Sequence, residues 1–185
     1  MTSFLLIRHA ESPWSPDNGR PLSPAGQLAS IELAYRLAHI GPSALYASPY
    51  YRARQTVEPL ADLCGLPVNT AAELRECSFG DLGDLPFETA AQLAWRNFDI
   101  SWPGGETPRM AQRRILQFVR SFAAPPAGRP IVLATHGTLL TLLLNAFDPS
   151  VGHDFWLSLS HPDVFRLELH DSGGAAFSRV TASNP

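Results

Sequence analysis

The sequence predicts an α/β protein, a three-layer α/β/α sandwich whose central sheet is mostly parallel. Two stretches carry that prediction. Ser3-Phe4-Leu5-Leu6-Ile7 is an apolar run of strand length that ends at once in Arg8-His9-Ala10-Glu11-Ser12. Pro130-Ile131-Val132-Leu133-Ala134-Thr135 has the same form and ends in His136-Gly137-Thr138. Short apolar runs bounded in this way read as buried strands. A doubly wound sheet binds ligands in the crevice beyond the carboxyl ends of its strands. Two imidazoles and an arginine delivered to one such edge are chemically suited to a phosphate group.

The rest of the chain fills in the layers. Residues 13–21 (PWSPDNGRP) are rich in turn formers and read as an irregular loop beside the site, so Trp14, Ser15 and Arg20 are placed to line a pocket. Ser23-Pro24 is a good helix start, with Ser as N-cap and Pro at the first helical position. Leu28, Ile31, Ala34, Tyr35 and Ala38 then recur at three and four, the expected buried face, and Gly41-Pro42 stops the helix. Ala44–Ala47 reads as a short strand. It leads through Ser48-Pro49-Tyr50 into a helix whose first turn carries Arg52, where free backbone N–H groups and the dipole favour an anion. Pro59 is expected to perturb that helix and Gly65 to end it.

Leu66-Pro67-Val68 reads as a short extended segment and residues 73–81 as a loop near a strand end. A helix opens at Pro86-Phe87-Glu88 and reaches Asn97. A tight loop spans residues 102–106, and a second amphipathic helix, with Ile115, Phe118, Val119 and Phe122, spans residues 108–123. Residues 125–130 are a linker. Residues 138–147 are apolar nearly all round, as in a buried helix. The tail alternates apolar and polar on both sides of Asp171-Ser172-Gly173-Gly174, which predicts an antiparallel hairpin over residues 164–180. No internal repeat is present, and residues 1–185 read as a single domain.

Composition narrows the function. With 185 residues, 45% hydrophobic and 17% charged, the chain is long enough and apolar enough for a sizeable core. A net charge of -3 argues against a general nucleic-acid binder. All 14 basic residues are arginine, so any anion site here uses guanidinium groups, which grip phosphate through paired hydrogen bonds. Cys64 and Cys77 are too far apart in sequence for a metal knuckle and read as reduced thiols. The apolar start is too short for a signal peptide, and no run approaches a membrane span. The expectation is a soluble cytoplasmic protein with no membrane partner.

Arg8-His9-Ala10-Glu11, Ser48…Arg52-Ala53…Gln55-Thr56, Glu76…Gly80, Gly104-Gly105-Glu106 and Thr135-His136-Gly137 occur in this order. Together they resemble the histidine phosphatase superfamily, which includes cofactor-dependent phosphoglycerate mutase, over residues 4–169. The resemblance implies a phosphoglycerate mutase-like fold and a phosphohistidine mechanism. By it, His9 matches the nucleophile. Arg8, Arg52 and His136 match the residues that hold the phosphoryl group, with Gly137 beside them, and Glu76 matches the acid that protonates the leaving oxygen. Glu76 is preferred to Glu73 because the family pattern places a glycine four residues after the acid, where Gly80 stands. Two departures are present. Ala10 replaces the family's glycine, and Ser15 stands where many members have a substrate-binding asparagine.

The chemistry of these residue types agrees. Imidazole, with an unperturbed pKa of about 6.5, is available as a nucleophile at neutral pH. Arg8, Arg52 and a cationic His136 would meet charge on the transferring phosphoryl group, so neither metal nor cofactor is required. Protonation of the leaving alkoxide should contribute roughly 10²–10⁴-fold. The expected activity is that of a phosphoric monoester hydrolase acting on a small phosphorylated metabolite. The resemblance implies a longer insertion in mutases where this chain has the short segment 80–104, and so favours water entry over enclosed transfer. The alternatives are a phosphoglycerate-type mutase and a non-catalytic phospho-ligand binder. Glu11, Glu73 and Glu106 each read as a surface carboxylate or a helper, with Glu106 the first choice as helper. The resemblance brings His161 near the site in a minor role, and the terminal hairpin offers an edge for a homodimer.

Overall fold

The computed structural model describes residues 1–15, 19–123 and 128–181; parts of the expected 13–21 loop and 125–130 linker lie outside them. One six-stranded sheet runs in the order β3-β2-β4-β1-β5-β6. Its strands are β1 (Thr2–Arg8), β2 (Ala44–Ala47), β3 (Val68–Thr70), β4 (Ile131–Thr135), β5 (Asp163–Leu169) and β6 (Ala175–Arg179). The first four are parallel, whereas β5 and β6 run antiparallel as the expected terminal hairpin.

The helices are α1 (Pro24–Ala38), α2 (Tyr51–Cys64), α3 (Phe87–Arg96), α4 (Pro108–Arg120), α5 (Gly137–Asn145) and α6 (His153–Leu157). Alternate residues of a strand point to opposite faces, and the two cores divide accordingly. Leu5, Ile7, Val132 and Ala134 pack with Leu33, Leu37, Val57 and Leu60 of α1 and α2. Phe4, Leu6, Ile131 and Leu133 pack on the other face with side chains of α3, α4 and α5, including Ala94, Ile115 and Leu140. The architecture is the three-layer sandwich expected. None of the described helices is long and apolar enough to cross a membrane.

Ser23 caps α1 as expected, its Oγ accepting from the Gly26 N–H at 3.0 Å. The buried face of that helix is another matter. Leu28, Ile31 and Tyr35 are exposed, while Gly26, Ser30, Leu33, Ala34 and Leu37 are buried. Both series have helical spacing. The series rich in small residues lets α1 lie closely against the end of β1 and against α2, and close packing decided between them.

Pro59 does not break α2, which continues to Cys64 and ends at Gly65 in the left-handed conformation. An interior proline costs about 3 kcal/mol. Burial of Ala53, Val57, Leu60 and Ala61 along the same helix outweighs that cost. Residues 72–74 form a 3-10 turn that leads into the expected loop, α4 ends at Arg120, and the sequence does not predict α6. Both cysteines are free.

Candidate active site

Sheet register brings the sequence motifs together. Arg8 pairs with Thr135, and Ala47 pairs with Ala134, so β1, β4 and β2 end at one edge. The ladder runs one residue further: His9 N–H donates to Thr135 O at 3.0 Å, and Ser48 N–H donates to Ala134 O at 2.9 Å. His9, His136 and Ser48 therefore leave the sheet side by side. The two imidazole rings lie 5.2 Å apart, edge to face.

His9 is buried, and its Nδ1 lies 2.7 Å from Ala10 O. A carbonyl only accepts, so Nδ1 carries the proton and Nε2 keeps its lone pair. Nε2 receives the Nε–H of Arg52 at 3.2 Å. Burial first, with electrostatic contributions from Arg52, His161 and Arg8 adding to it against the Ala10 hydrogen bond, pushes the His9 pKa down to about 3. The ring is neutral over the ordinary pH range. Thr56 steadies the arrangement: its Oγ1 accepts from Ala10 N–H at 2.9 Å and donates to Arg52 O at 2.7 Å.

His136 is completely buried, with Nε2 2.8 Å from Ser48 Oγ. That hydroxyl already accepts from Tyr50 N–H at 3.2 Å. If it donates to Nε2, the proton of His136 sits on Nδ1, the tautomer we assign from these partners. The sequence led us to expect a cationic His136. Burial, reinforced by His9, Arg52 and Arg20, instead holds its pKa well below the usual value, so in the free protein it is neutral.

Arg8 donates from Nη1 to Leu159 O at 2.8 Å, which aims its guanidinium along the pocket floor. Gly137 makes room for it: a Cβ there would sit 3.1 Å from Arg8 Nε and 3.3 Å from the Trp156 indole nitrogen. Arg52 is buried, and its guanidinium lies 4.9 Å from the Tyr50 ring centroid. Desolvation, with the neighbouring Arg20 next, brings its pKa down to about 10. Among the described residues, the buried side-chain polar atoms without a hydrogen-bond partner are Arg8 Nε, Arg20 Nε, Arg52 Nη1, His136 Nδ1 and, elsewhere, Ser3 Oγ. Buried polar atoms are nearly always paired. All but Ser3 Oγ belong to residues gathered around His9.

Glu76 lies at the amino terminus of α5. Its carboxylate accepts from Thr138 N–H at 3.2 Å, Leu139 N–H at 3.0 Å and Cys77 N–H at 2.8 Å. These bonds and the helix dipole favour the anion. Burial acts against them and is the larger effect, so the Glu76 pKa lies above its ordinary value. The Glu76 loop is pinned at Gly80, where φ is +91° and a Cβ would fall 2.5 Å from Pro103 O.

A cavity of about 790 Å³ joins Arg8, His9, Arg20, Arg52, Glu76, Gly137 and His161 to an outer wall containing Trp14 and Trp156. Ser15 enters only indirectly: its backbone carbonyl accepts from Arg20 Nη1 at 3.0 Å, while its side chain is not among the residues that line the cavity. Glu106, the expected helper, does not line the cavity. It is bound by Arg114 and, at 3.8 Å, by Arg75, and so ties α4 to the Glu76 loop from outside the cavity. His161 gains weight, since its Nδ1 donates to His9 O at 3.0 Å and its ring lies 5.1 Å from that of His9. The sequence puts Arg20 only in a lining loop; in the structure it shares the cavity with Arg8 and Arg52, and its Nε is unpaired, as are Arg8 Nε and Arg52 Nη1. Trp156 sits on the helix that was not foreseen. Among the described residues, no cluster of three or more His, Cys, Asp or Glu is arranged to hold a metal ion.

The family model described as "Histidine phosphatase superfamily (branch 1)" matches residues 4–180. The chain belongs to that superfamily. A probable phosphoglycerate mutase GpmB of Yersinia enterocolitica is 31% identical over 159 residues, covering 78% of this chain and 74% of the relative. A GpmB of Yersinia pestis is 29% identical, covering 99% and 92%. Among solved structures, a mycobacterial glucosyl-3-phosphoglycerate phosphatase in complex with VO3 superposes with a TM-score of 0.78 at 24% identity, covering 97% of this chain and 98% of that one. Bacillus stearothermophilus YhfR superposes with a TM-score of 0.76 at 24% identity, covering 97% and 96%. These likenesses establish the phosphoglycerate mutase-like fold. Members of the superfamily are phosphatases or mutases that share a phosphohistidine mechanism.

Proposed function

We propose that this protein is a metal-independent phosphomonoesterase that hydrolyses a small phosphorylated metabolite through a phosphohistidine on His9. The observation that carries the reading is a neutral imidazole, proton fixed on Nδ1 by Ala10 O, whose Nε2 shares its surroundings with the orphaned donors of Arg8, Arg20, Arg52 and His136. An incoming phosphate dianion gives those donors acceptors and draws the Arg52 guanidinium off Nε2. The Nε2 lone pair then attacks phosphorus, the bond from phosphorus to the alcohol oxygen breaks, and protonated Glu76 gives its proton to the leaving oxygen. Water next attacks the phosphohistidine, its proton passes to Glu76, the P–N bond breaks, and inorganic phosphate leaves.

Hydrolysis is supported over transfer by the open mouth of the cavity, where Trp14 is 83% and Phe87 50% exposed. The mutase reading is favoured by the names of the Yersinia relatives. The test is phosphate release from a panel of phosphomonoesters in EDTA, with wild type and His9→Ala side by side. Turnover by wild type alone is expected. Isomer formation that depends on a bisphosphorylated primer, with little free phosphate, would instead establish the mutase.

A further inference from the structure

The cavity is much larger than a phosphoryl group requires, and its two ends differ in chemistry. The inner end holds His9 and Arg52, 6% and 5% exposed, together with Arg8 and Arg20. Each of the three guanidiniums interacts electrostatically with Glu76, which places them all around the reacting centre. The more open part of the lining, its outer end, consists of Trp14, Leu82, Leu85, Phe87 and Glu88, with Trp156 between them and Arg8. The Phe87 and Trp156 rings lie 6.3 Å apart, and Phe87 is backed by a stacked Phe79 at 5.8 Å. Trp14, from the loop after β1, belongs to the same cavity.

We infer that this outer end is the subsite for the alcohol portion of the substrate, and that it takes an uncharged ring rather than a carboxylate. The inference rests on the phosphomonoesterase reading of the inner end. Exposed aromatic faces gathered at the mouth of a catalytic cavity are apolar surface that a ligand covers favourably. A carboxylate seated there would lose water and face Glu88, and the guanidiniums within reach, Arg8 and Arg20, are those the phosphoryl group occupies. Desolvating a charge without a partner is strongly unfavourable. The alcohol of a phosphoglycerate carries such a carboxylate, so the same wall that favours a ring disfavours that substrate.

Binding of two non-hydrolysable phosphonates, measured by calorimetry, reads the subsite without reference to turnover. They are 3-phenylpropylphosphonate, which ends in a ring, and 3-phosphonopropionate, which ends in a carboxylate. Wild type is expected to bind the phenyl compound at least tenfold more tightly. Phe87→Ala and Trp14→Ala should each compress that ratio by about tenfold, the order of effect of removing one aromatic face from a stacked ring. Trp14 is so exposed that its replacement does not threaten folding. Equal or tighter binding of the carboxylate, or a ratio that neither substitution moves, overturns the inference. Failure of the phosphomonoesterase reading shows separately, as phosphate release that does not depend on His9.

Discussion

Arg52 donates its Nε–H to Nε2 of His9 across 3.2 Å, so in the free protein a guanidinium covers the lone pair assigned to nucleophilic attack. The same contact keeps Arg52 in place and lowers the basicity of the imidazole. A phosphate dianion competes for the guanidinium and uncovers the nitrogen as it binds. Arg52→Lys preserves charge but not the planar fork that can turn from His9 to phosphate. It is expected to lower kcat by roughly 10²–10³-fold, as loss of a transition-state donor does, with stability little changed. Steady-state kinetics and thermal melts check both halves.

Glu76→Gln removes the transferable proton and keeps the shape. The loss in kcat should be roughly 10²–10⁴-fold for alkyl phosphates and much smaller for aryl phosphates, whose leaving groups need less help. Measuring both on one preparation makes the comparison. Equal losses would remove Glu76 from the acid role.

The pH profile follows from two opposite displacements. His9 is pushed down to about 3, so it is already neutral, and able to attack, throughout the accessible range. Glu76 is displaced upward and is active as an acid only while protonated. Activity on alkyl phosphates should therefore fall as pH rises through the raised Glu76 pKa, and no limb from His9 should appear near 6.5. The decline in kcat/KM should be shallower for aryl phosphates, since substrate ionisation is common to both. A shared bell centred on an ordinary histidine pKa would contradict this assignment.

Gly137→Ala tests the packing under Arg8. The added methyl would press on the Arg8 guanidinium and on Trp156, each already within 3.3 Å of it. Overpacking costs about 1–3 kcal/mol. Because both neighbours are in the cavity wall, the cost should appear as weaker binding of inorganic phosphate. Calorimetry of phosphate binding gives the readout.

Thr56→Val leaves Ala10 N–H buried without an acceptor. The expected destabilisation is about 1–3 kcal/mol, measured by denaturant unfolding. A fall in kcat should accompany it, because Ala10 O orients His9 and Thr56 also fixes the Arg52 carbonyl.

The sequence exposed the sheet edge well because the signal there is local. β1 and β4 are apolar runs that end abruptly in chemistry-bearing residues, and parallel register leaves them no choice but to deliver His9 and His136 together. Glu76, singled out through the family pattern by the glycine at position 80, lines the same cavity as His9. Other features depend on packing that no local pattern encodes. The α1 helix offered two faces of equal periodicity, and the choice fell to the small residues. Glu106 carries the charge of a helper, yet Arg114 reaches it first. Arg20 and Trp156 join the cavity from a turn-rich loop and from a five-residue helix with no side-chain cap, neither of which has a period to read. The charge state of His136 is set by burial, which composition does not reveal.

The central claim is a covalent phosphohistidine on His9, and rapid quenching of wild type mixed with a phosphomonoester labelled in its phosphoryl group tests it most directly. The account predicts a label on protein that is labile in acid and stable in base, maps to the peptide containing His9, and is missing from His9→Ala. A label elsewhere, or hydrolysis that proceeds equally well in His9→Ala, would contradict it.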